Sequence, residues 1–330
     1  MSSQKLIVIL GATGNQGGSV ATTFLQDPDW KVRAVTRNAS STKAQALTSR
    51  GAEVVEADID KPSTLTPAFE GANAIFAVSD FWGLYGDPAN KEKAKPGQAL
   101  NEWAGEHETQ QLKNVIDAAA KVSTLERFII SALSDATKWS QGKYTHVYHF
   151  DSKAKAVVYA KETYPELWAK TSVYQAGFFL GNFVQNPLAQ PNAEGVVQFI
   201  GHIEQDVKLP LIAAEEDSGP FVKALLQQPA GVNLIGYREW ISLRELAAAL
   251  TKVTGHKAEV VALPKGQFPP GIPEELKAEL EDNFAYFNEF GYEGRDDPSL
   301  THPRDLKFPP SLETSADYFK KQDWSKVFGA

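Results

Sequence analysis

The chain has 330 residues, and at about 150 residues per domain this length predicts two domains or one enlarged domain. Hydrophobic residues make up 42% and charged residues 22%, an ordinary globular composition that excludes a disordered chain, a collagen and a coiled-coil rod. The net charge of −8 argues against direct binding to nucleic acid, which needs a basic face. The absence of cysteine excludes disulfides, thiolate metal sites and cysteine nucleophiles.

Apolar runs in this sequence are too short for a targeting or membrane segment. The first run, from Leu6 to Leu10, is followed at once by Gly11. A signal-peptide core needs about 7–15 apolar residues and a membrane helix about 20. We therefore expect a soluble protein of the cytoplasm, with no membrane partner and with the nucleus as an alternative location.

Short apolar runs alternate with helix-like stretches through the first part of the chain. The predicted strands cover residues 5–10, 32–35, 52–55, 74–78 and 127–131. The predicted helices between them cover residues 17–26, 44–50, 63–69 and 108–121. This alternation indicates βαβ units, and therefore an α/β fold with a doubly wound parallel sheet that carries helices on both faces.

Residues 80–106 interrupt this alternation with a stretch that is too long for an ordinary βα loop of about 2–6 residues. The stretch follows a predicted strand, and open α/β sheets bind ligands at the carboxyl ends of their strands. We expect Phe81 and Trp82 to form the rim of a site there. We expect residues 90–96 to form a solvated insertion.

The regular alternation fades in the second half of the chain, which predicts a smaller α/β unit. Ser242 and Glu245 have the spacing of a capping box that opens a helix, and Gly255 is placed to end that helix. Pro273 precedes acidic residues at the start of another predicted helix, which Gly291 ends.

A glycine-rich turn follows the first predicted strand and opens the first predicted helix. Its residues are Gly11, Ala12, Thr13, Gly14, Asn15, Gln16 and Gly17. Gly11 permits the tight turn, Gly14 lets the backbone approach a pyrophosphate, and Gly17 lets the helix pack closely on the strand. The helix N-terminus then offers free N–H groups and a positive dipole end to the phosphates. The context predicts a dinucleotide site, with an incidental glycine turn as the alternative.

The end of the second predicted strand indicates which dinucleotide binds. An NAD site usually has an acidic residue there, about 20 residues past the glycines. This chain has Arg37 instead, whose guanidinium suits a 2′-phosphate, and Asn38 and Ser40 can add neutral donors. NADP(H) is therefore favoured over NAD(H), with a solvated surface arginine as the alternative.

Two residues after the third predicted strand are candidates for the adenine end of the site. Asp58 can accept a hydrogen bond from the adenine amine, and Ile59 can pack on the ring. Asp58 can equally cap the next helix, so both interpretations stay open.

With these residues the sequence resembles the NmrA-like family of atypical short-chain dehydrogenases/reductases. The matching segments are GATGNQGGSV (11–20), VTRN (35–38), GAEVVEADIDKP (51–62), HFDSKAKAV (149–157) and SVYQAGFFLGNF (172–183). The resemblance implies a Rossmann domain, a preference for NADP and a cleft between two domains. We place the NADP-binding Rossmann domain at residues 1–178 and a smaller substrate or partner domain, interleaved with it, at residues 179–330.

The resemblance also implies roles for individual residues around the nicotinamide. By motif match, Ser79, Asp80 and Phe81 should line the nicotinamide end of the cofactor. Lys153 should touch the nicotinamide ribose. Phe178 and Phe179 should close over the cofactor.

The sequence departs from the wider superfamily at the catalytic pattern Tyr-x-x-x-Lys, in which the tyrosine donates a proton and the lysine holds the ribose. The residue four positions before Lys153 is His149, and Ser131 matches the usual Ser/Thr position. His149 is either an acid/base, since histidine exchanges protons near neutral pH, or a packed, hydrogen-bonded side chain. Tyr148 is adjacent, but on a helix it points about 100° away from His149.

These features predict an NADPH-dependent oxidoreductase that reduces a small carbonyl, quinone or enone-like molecule in the interdomain cleft. Lys153 would hold the ribose and tune the acid, and His149 or a water would supply the proton. The alternative is a non-catalytic redox sensor that binds NADP(H) and regulates a protein partner such as a transcription factor. The missing tyrosine favours the sensor, and the aromatic rim favours a substrate pocket.

The sequence predicts no metal site. His146 and His149 have helical i, i+3 spacing, but no third ligand follows nearby and the chain has no cysteine. The substrate and the oligomeric state are not specified by the sequence.

Overall fold

The structure, a computed structural model, describes residues 4–184 and 189–328. Its strands are β1 (Lys5–Ile9), β2 (Trp30–Thr36), β3 (Glu53–Glu56), β4 (Ala74–Ala77), β5 (Arg127–Ala132), β6 (Thr171–Ala176), β7 (Phe178–Phe179), β8 (Ala189–Pro191), β9 (Val197–Gly201), β10 (Lys208–Ile212), β11 (Asn233–Gly236), β12 (Glu239–Ser242), β13 (Ala258–Ala262) and β14 (Leu300–Thr301). Its α-helices are α1 (Asn15–Leu25), α2 (Thr42–Ser49), α3 (Pro62–Phe69), α4 (Phe81–Gly86), α5 (Leu100–Ala119), α6 (Ala136–Trp139), α7 (Tyr148–Thr163), α8 (Pro165–Trp168), α9 (Ala214–Leu226), α10 (Leu243–Thr254), α11 (Glu274–Phe290), α12 (Ser315–Lys320) and α13 (Ser325–Phe328).

Eight parallel strands form the central sheet, in the order β14-β11-β6-β5-β4-β1-β2-β3. On β1, Ile7 pairs with Val32 of β2 on one side and with Ala74 of β4 on the other. The strand order therefore reverses between β1 and β4: β2 and β3 are added on one side of β1, and β4, β5 and β6 on the other. Open α/β sheets bind their ligands at such a switch point.

Helices cover both faces of this sheet because successive strand residues point to opposite sides. Ile7 and Ile9 pack in one apolar cluster with residues of α1, α2 and α9, and Val8 packs in another with residues of α3, α5 and α7. The predicted α/β fold with a doubly wound parallel sheet is confirmed. No helix among the described residues has the length and apolarity needed to span a membrane.

The five predicted strands and four predicted helices of the first part are present, and the largest shift is at α5. This helix begins at Leu100, eight residues before the predicted start, because Asn101, Trp103 and Ala104 already pack into the protein. Apolar periodicity alone does not reveal this first turn, since one of its buried residues is polar.

The stretch between β4 and α5 is more ordered than the sequence predicts. The short helix α4 buries Phe81, which is 2% exposed and packs with Trp103, while Trp82 remains 46% exposed. The predicted solvated insertion is wrong at Asn90, which is buried and donates through Nδ2 to the carbonyl oxygen of Leu84 at 2.8 Å. A local hydrogen bond back to α4, which no sequence pattern marks, holds this residue.

The predicted helix ends of the second half are confirmed. Ser242 Oγ accepts from the Glu245 backbone N–H at 3.2 Å, and a Glu245 carboxylate oxygen accepts from the Ser242 N–H at 2.8 Å. Gly255 ends α10 with a φ of 76°, in the left-handed region that glycine favours. Gly291, with a φ of 78°, follows the last residue of α11.

The second half also contributes to the central sheet and its cover. Strands β11 and β14 extend that sheet beyond β6, and two three-stranded sheets, β12-β10-β7 and β13-β9-β8, form the smaller unit. Helix α9 packs on α1, where the Gly219 N–H donates to Ser19 Oγ at 2.9 Å. The division at residues 178 and 179 stays a prediction, and the sheet takes strands from both sides of it.

The glycine-rich turn (residues 11–17) sets how closely α1 lies on β1. Gly11 has a φ of +59°, and its carbonyl oxygen accepts from the Gly14 N–H at 2.8 Å. A Cβ on Gly17 would lie 2.2 Å from the Gly11 carbonyl oxygen, whereas a Cβ on Gly18 would lie at an ordinary 3.5 Å from the Ala12 carbonyl oxygen. The backbone of the turn thus leaves no room for a side chain at Gly17.

We predict that Gly17→Ala lowers the free energy of unfolding by about 1–3 kcal/mol, because α1 must move away from the turn. The matched control is Gly18→Ala on the same helix, which we expect to be neutral or stabilising by up to about 1 kcal/mol through helix propensity. Urea unfolding of both variants measures the difference. Equal free energies of unfolding for the two variants would contradict the close approach of α1 to the glycine-rich turn.

Candidate functional site

A cleft of about 570 Å³ opens at the carboxyl ends of β1, β2, β3 and β4. It contains twelve of the predicted cofactor-binding residues: Gly11, Thr13, Gly14, Asn15, Gln16, Gly17, Arg37, Asp58, Ile59, Ser79, Asp80 and Phe179. Outside its lining lie Asn38, Ser40, Phe81, Ser131, Tyr148, His149, Lys153 and Phe178. The structure thus gathers most of the predicted cofactor residues and leaves the predicted proton-transfer residues outside the lining of the cleft.

The glycine-rich turn and the start of α1 form one wall of this cleft. No side chain caps α1 within the described part of the chain, and no acidic residue lies in its first turn. Its first backbone N–H groups and the positive end of its dipole therefore face the cleft, an arrangement that suits an anion. Ser131, at the end of β5, donates to Gln16 Oε1 at 2.8 Å and so is tied to this turn.

The loop after β2 contributes the positive charge of the cleft. Arg37 is exposed and has neither a hydrogen bond nor an ion pair with any residue that the structure describes. Asn38 and Ser40 bind each other instead, since Asn38 Oδ1 accepts from the Ser40 N–H at 2.9 Å and from Ser40 Oγ at 2.7 Å. Lys43, which sequence reasoning did not place in the site, reaches the Thr13 carbonyl oxygen at 3.4 Å.

The loop after β3 forms the opposite wall. Asp58 Oδ1 accepts from the Asp60 N–H at 3.0 Å, and Lys61 occupies the N-cap position of α3 without a side-chain capping hydrogen bond. Asp58 therefore stabilises a turn and does not cap the helix, which removes one of its two interpretations. The Ile59 carbonyl oxygen accepts from Asn114 of α5 at 2.9 Å, so the loop is anchored to that helix.

Several lining residues come from α5 and from the stretch before it, where no motif pointed to them. His107 Nε2 and Gln111 Nε2 approach the two carboxylate oxygens of Asp60 at 2.8 and 2.9 Å. Asn90 and Lys93 line the same side of the cleft. In the stretch before α5 the sequence predicted Phe81 and Trp82 at the rim of a site and a solvated insertion at residues 90–96, so Asn90 and Lys93 were missed.

Ser79 and Asp80 follow β4 at the inner end of the cleft. Ser79 Oγ is buried without a hydrogen-bond partner among the described residues, so the protein leaves a polar group there for something else to bind. Asp80 Oδ1 accepts from the Gly83 N–H at 2.9 Å and caps α4. Asp80 thus both lines the cleft and holds the helix that borders it.

The two adjacent phenylalanines separate, as successive residues of a strand do. Phe179 lines the cleft, whereas Phe178 packs on Phe183 and Phe287 with ring centroids 5.8 and 6.4 Å apart. Phe81, predicted at the nicotinamide end, is the first residue of α4 and packs in an apolar cluster with Trp103 and Ala104. In this structure the cleft wall therefore includes Phe179 and neither of the other two rings.

Lys153 is held in a buried ion pair. Its Nζ lies 2.8 Å from each carboxylate oxygen of Glu108 on α5, and 3.0 Å from the His149 carbonyl oxygen. Glu108 is fully buried, and Ser152 Oγ also donates to it. Sequence reasoning missed Glu108, because nothing in a helix pattern marks which acid turns inward.

His149 is packed and hydrogen-bonded. Its Nδ1 lies 2.6 Å from Oε1 of Glu279, a fully buried residue of α11 whose Oε2 accepts from Asn101 Nδ2 at 2.9 Å. Its ring centroid lies 5.7 Å from that of Phe81 and 5.0 Å from that of Trp82. His149 is thus packed and hydrogen-bonded through Nδ1, and Nε2 has no partner among the described residues, so the acid/base interpretation stays open as well.

Tyr148 lies apart from His149. It packs against Gly105 of α5 in the cluster of Phe81 and Trp103, and burial raises the pKa of its hydroxyl above the usual value. A hydroxyl with a raised pKa is a weaker acid, which makes Tyr148 a poor replacement for the missing tyrosine.

His146, the other member of the spaced histidine pair, also binds a carboxylate. Its Nδ1 lies 2.8 Å from Asp282 Oδ2 on α11. The two histidines therefore face separate acids. The described residues contain no group of three or more potential ligands that could hold a metal ion.

The comparisons with known proteins agree with this architecture. The NmrA-like family profile matches residues 3–322. The NmrA-like family domain-containing oxidoreductase cpsB of Aspergillus campestris is 30% identical over 327 residues, which cover 93% of this chain and 90% of that protein.

Solved structures share the fold. The negative transcriptional regulator NmrA in complex with NADP has a TM-score of 0.75 at 19% identity, covering 99% of this chain and 96% of that one. The quinone oxidoreductase QOR2 of Escherichia coli, complexed with NADPH, has a TM-score of 0.65 at 21% identity, covering 95% and 98%. Because the family profile spans nearly the whole chain and a curated relative matches it at 30% identity, this protein belongs to the NmrA-like family.

Proposed function

We propose that this protein binds NADP(H) in the cleft and reduces a small carbonyl, quinone or enone-like molecule. The observation that carries the proposal is the unpaired Arg37 beside the uncapped start of α1, on one wall of the same cleft. A cation and free N–H groups in this arrangement suit a ligand with phosphates at two positions. The names of the curated relative and of the QOR2 neighbour, both oxidoreductases, support the assignment.

The residues of the cleft fit the cofactor. The backbone of the glycine-rich turn would hold the pyrophosphate. Arg37, with Lys43 nearby, would bind the 2′-phosphate, and Asp58 and Ile59 would contact the adenine. The orphaned Ser79 Oγ supplies an unused donor and acceptor at the inner end. A Cβ on Gly14 would lie 3.3 Å from the Gly11 carbonyl oxygen, so the turn itself is tightly packed at this position. When bound, the nicotinamide supplies a hydride.

Substrate would lie at the inner end of the cleft, between the end of β4 and Phe179. Gly83 and Leu84 of α4 line the cleft beside Asp80, with Phe179 also in the lining. Apolar surface from Leu84 and Phe179 together with a few polar groups suits a small organic carbonyl or quinone. Phe179 would exclude water from the reacting atoms.

The proton would come from His149 or from a water. Lys153, which the family resemblance assigns to the ribose, is paired with Glu108, so in our proposal it also fixes α7 from behind the cleft. Its contact with the ribose stays a prediction, as do the contacts of Asn38, Ser40, Phe81 and Phe178 with the cofactor.

The second candidate function is a redox sensor that binds NADP(H) and regulates a protein partner. It is favoured by one observation: the side chains of Ser131, His149 and Lys153 are all hydrogen-bonded within the protein and lie outside the cleft lining. A sensor requires the partner to bind more tightly in one cofactor state than in the other.

We predict that Arg37→Asp raises the Kd for NADPH by about 10²-fold, since it removes a charge-assisted hydrogen bond and adds repulsion toward the 2′-phosphate. The Kd for NADH should change far less, because NADH has no phosphate there. The control is Arg50→Asp, which changes an exposed arginine that donates to Thr22 Oγ1 outside the cleft. Calorimetric titration with both cofactors measures the effect, and equal losses for NADPH and NADH would contradict the assignment.

The reductase proposal predicts substrate-dependent NADPH oxidation. We expect loss of NADPH absorbance with at least one compound of a panel of benzoquinones, naphthoquinones, aldehydes and enones. The Arg37→Asp variant should reach the wild-type rate only at a much higher NADPH concentration. Tight NADPH binding without turnover of any compound contradicts the reductase and favours the sensor, whose partner affinity must then differ between NADP⁺ and NADPH.

The ion pair of Lys153 predicts a stability effect. Lys153→Met should lower the free energy of unfolding by about 3–5 kcal/mol, because it leaves the Glu108 carboxylate buried without a cation. The double change Glu108→Leu with Lys153→Met should recover much of this loss. The control is Lys155→Met, an exposed lysine on the same helix, which we expect to change stability by less than about 0.5 kcal/mol. Equal urea midpoints for the two single variants would disprove the buried pair.

A further inference from the structure

We infer that Glu279 is a positioning residue, which fixes His149 with Nδ1 protonated and Nε2 as the nitrogen that gives a proton to the substrate. This inference rests on the proposed reduction. It identifies which of the two proton sources, His149 or water, acts, and it assigns a role to an acid that lies 130 residues away from His149 in the sequence.

The first step is the hydrogen-bonding capacity of the buried acid. Glu279 is fully buried, and three donors converge on it: Nδ1 of His149 at 2.6 Å, the His149 backbone N–H at 3.2 Å and Asn101 Nδ2 at 2.9 Å. An ionised carboxylate only accepts hydrogen bonds, so the nitrogen that faces it must carry a hydrogen. Nδ1 of His149 is therefore the donor, and the neutral ring keeps its lone pair at Nε2.

The second step is the fixed orientation of the ring. The ring centroid of His149 lies 5.0 Å from that of Trp82 and 4.9 Å from that of Phe150, and the His149 side chain is 12% exposed. Nδ1 faces the fully buried Glu279, and Nε2 has no partner among the described residues. Phe81 and Trp82 belong to α4, and the next residue, Gly83, lines the cleft. The ring of His149 thus packs against the helix that borders the cleft.

The third step is the proton balance. A carbonyl carbon that accepts a hydride breaks the π bond to its oxygen, and the oxygen retains that electron pair. Protonated His149 then transfers the Nε2 proton to this oxygen, which yields the alcohol and leaves the neutral, Nδ1-protonated ring. Water reprotonates Nε2 before the next turnover. Nδ1 of His149 keeps its hydrogen and donates it to Glu279 Oε1 throughout, as a carboxylate that orients a histidine requires.

A neighbouring pair provides the internal control. His146 and Asp282 come from the same two segments, each three residues away from its counterpart in the buried pair, and their Nδ1–Oδ2 distance is 2.8 Å. Their side chains are 48% and 22% exposed, so this pair lies at the surface. If only a clamp between α11 and the start of α7 matters, loss of either acid should act in the same way. If proton delivery matters, only Glu279 should affect turnover.

The first experiment measures the tautomer and needs no activity. Nitrogen-15 spectra of histidine-labelled wild-type protein, with His149 assigned by the signal that His149→Gln removes, should show the neutral ring protonated at Nδ1. Glu279→Leu should shift His149 toward Nε2 protonation, and Asp282→Leu should leave the His149 signals unchanged. A wild-type ring protonated at Nε2 overturns the inference, and so does a ring that does not respond to Glu279→Leu.

The second experiment uses turnover of the NADPH-saturated enzyme. We expect Glu279→Leu to lower kcat by about 10²-fold with KM for the carbonyl nearly unchanged, and Asp282→Leu to leave kcat within about twofold. Where Glu279→Leu fails to fold, Glu279→Gln keeps the side-chain shape and should lower kcat by at least about tenfold through loss of the charge. A wild-type kcat in the folded Glu279 variants overturns the inference while the proposed reduction stands. Absence of turnover by wild type overturns the reduction itself, and the nitrogen-15 result still decides whether Glu279 fixes the ring.

Discussion

Two fully buried carboxylates, Glu108 and Glu279, determine how the helices around the site are arranged. Each needs donors or a cation in a region without water, and each takes them from α7: Lys153 for Glu108 and His149 for Glu279. Helix α7 is therefore fixed from α5 on one side and from α11 on the other. Because α11 belongs to the second half of the chain, this arrangement joins the smaller unit to the dinucleotide fold at His149 and Lys153, where the sequence pattern predicted catalytic residues.

The cleft and the α7 region differ in how their polar groups are satisfied. In the cleft, Ser79 Oγ and the guanidinium of Arg37 have no partner among the described residues, and no side chain caps α1. Around α7 the side chains of Lys153 and His149 are already paired. A bound dinucleotide would therefore find unpaired polar groups in the cleft, whereas the proton transfer that we propose would depend on Nε2 of His149, whose ring packs on Phe81 and Trp82 of α4.

The sequence predicted the fold and the cofactor side of the site because both depend on local signals. Alternating strands and helices indicated the parallel sheet, and the turn at residues 11–17 marked its ligand-binding edge. The start of α5 was missed because distant residues of α11 bind the polar Asn101. The burial of Asn90 was missed because it depends on a side-chain hydrogen bond to the Leu84 carbonyl oxygen, which no motif marks. Glu279, Asn101 and Lys43 carried no motif, and only their neighbours in space identify them.

By itself the sequence determined the α/β class, the glycine-rich turn and the arginine at the end of β2, since strand period, left-handed glycine backbone and charge are properties of short segments. Only the tertiary structure decided which acids turn inward and which side chains they bind. It placed Phe179 in the cleft and Phe178 in the core, and it gave His149 a buried carboxylate. The reason is physical: a carboxylate's effect on a histidine depends on its distance and burial, and segments 130 residues apart acquire these only on folding.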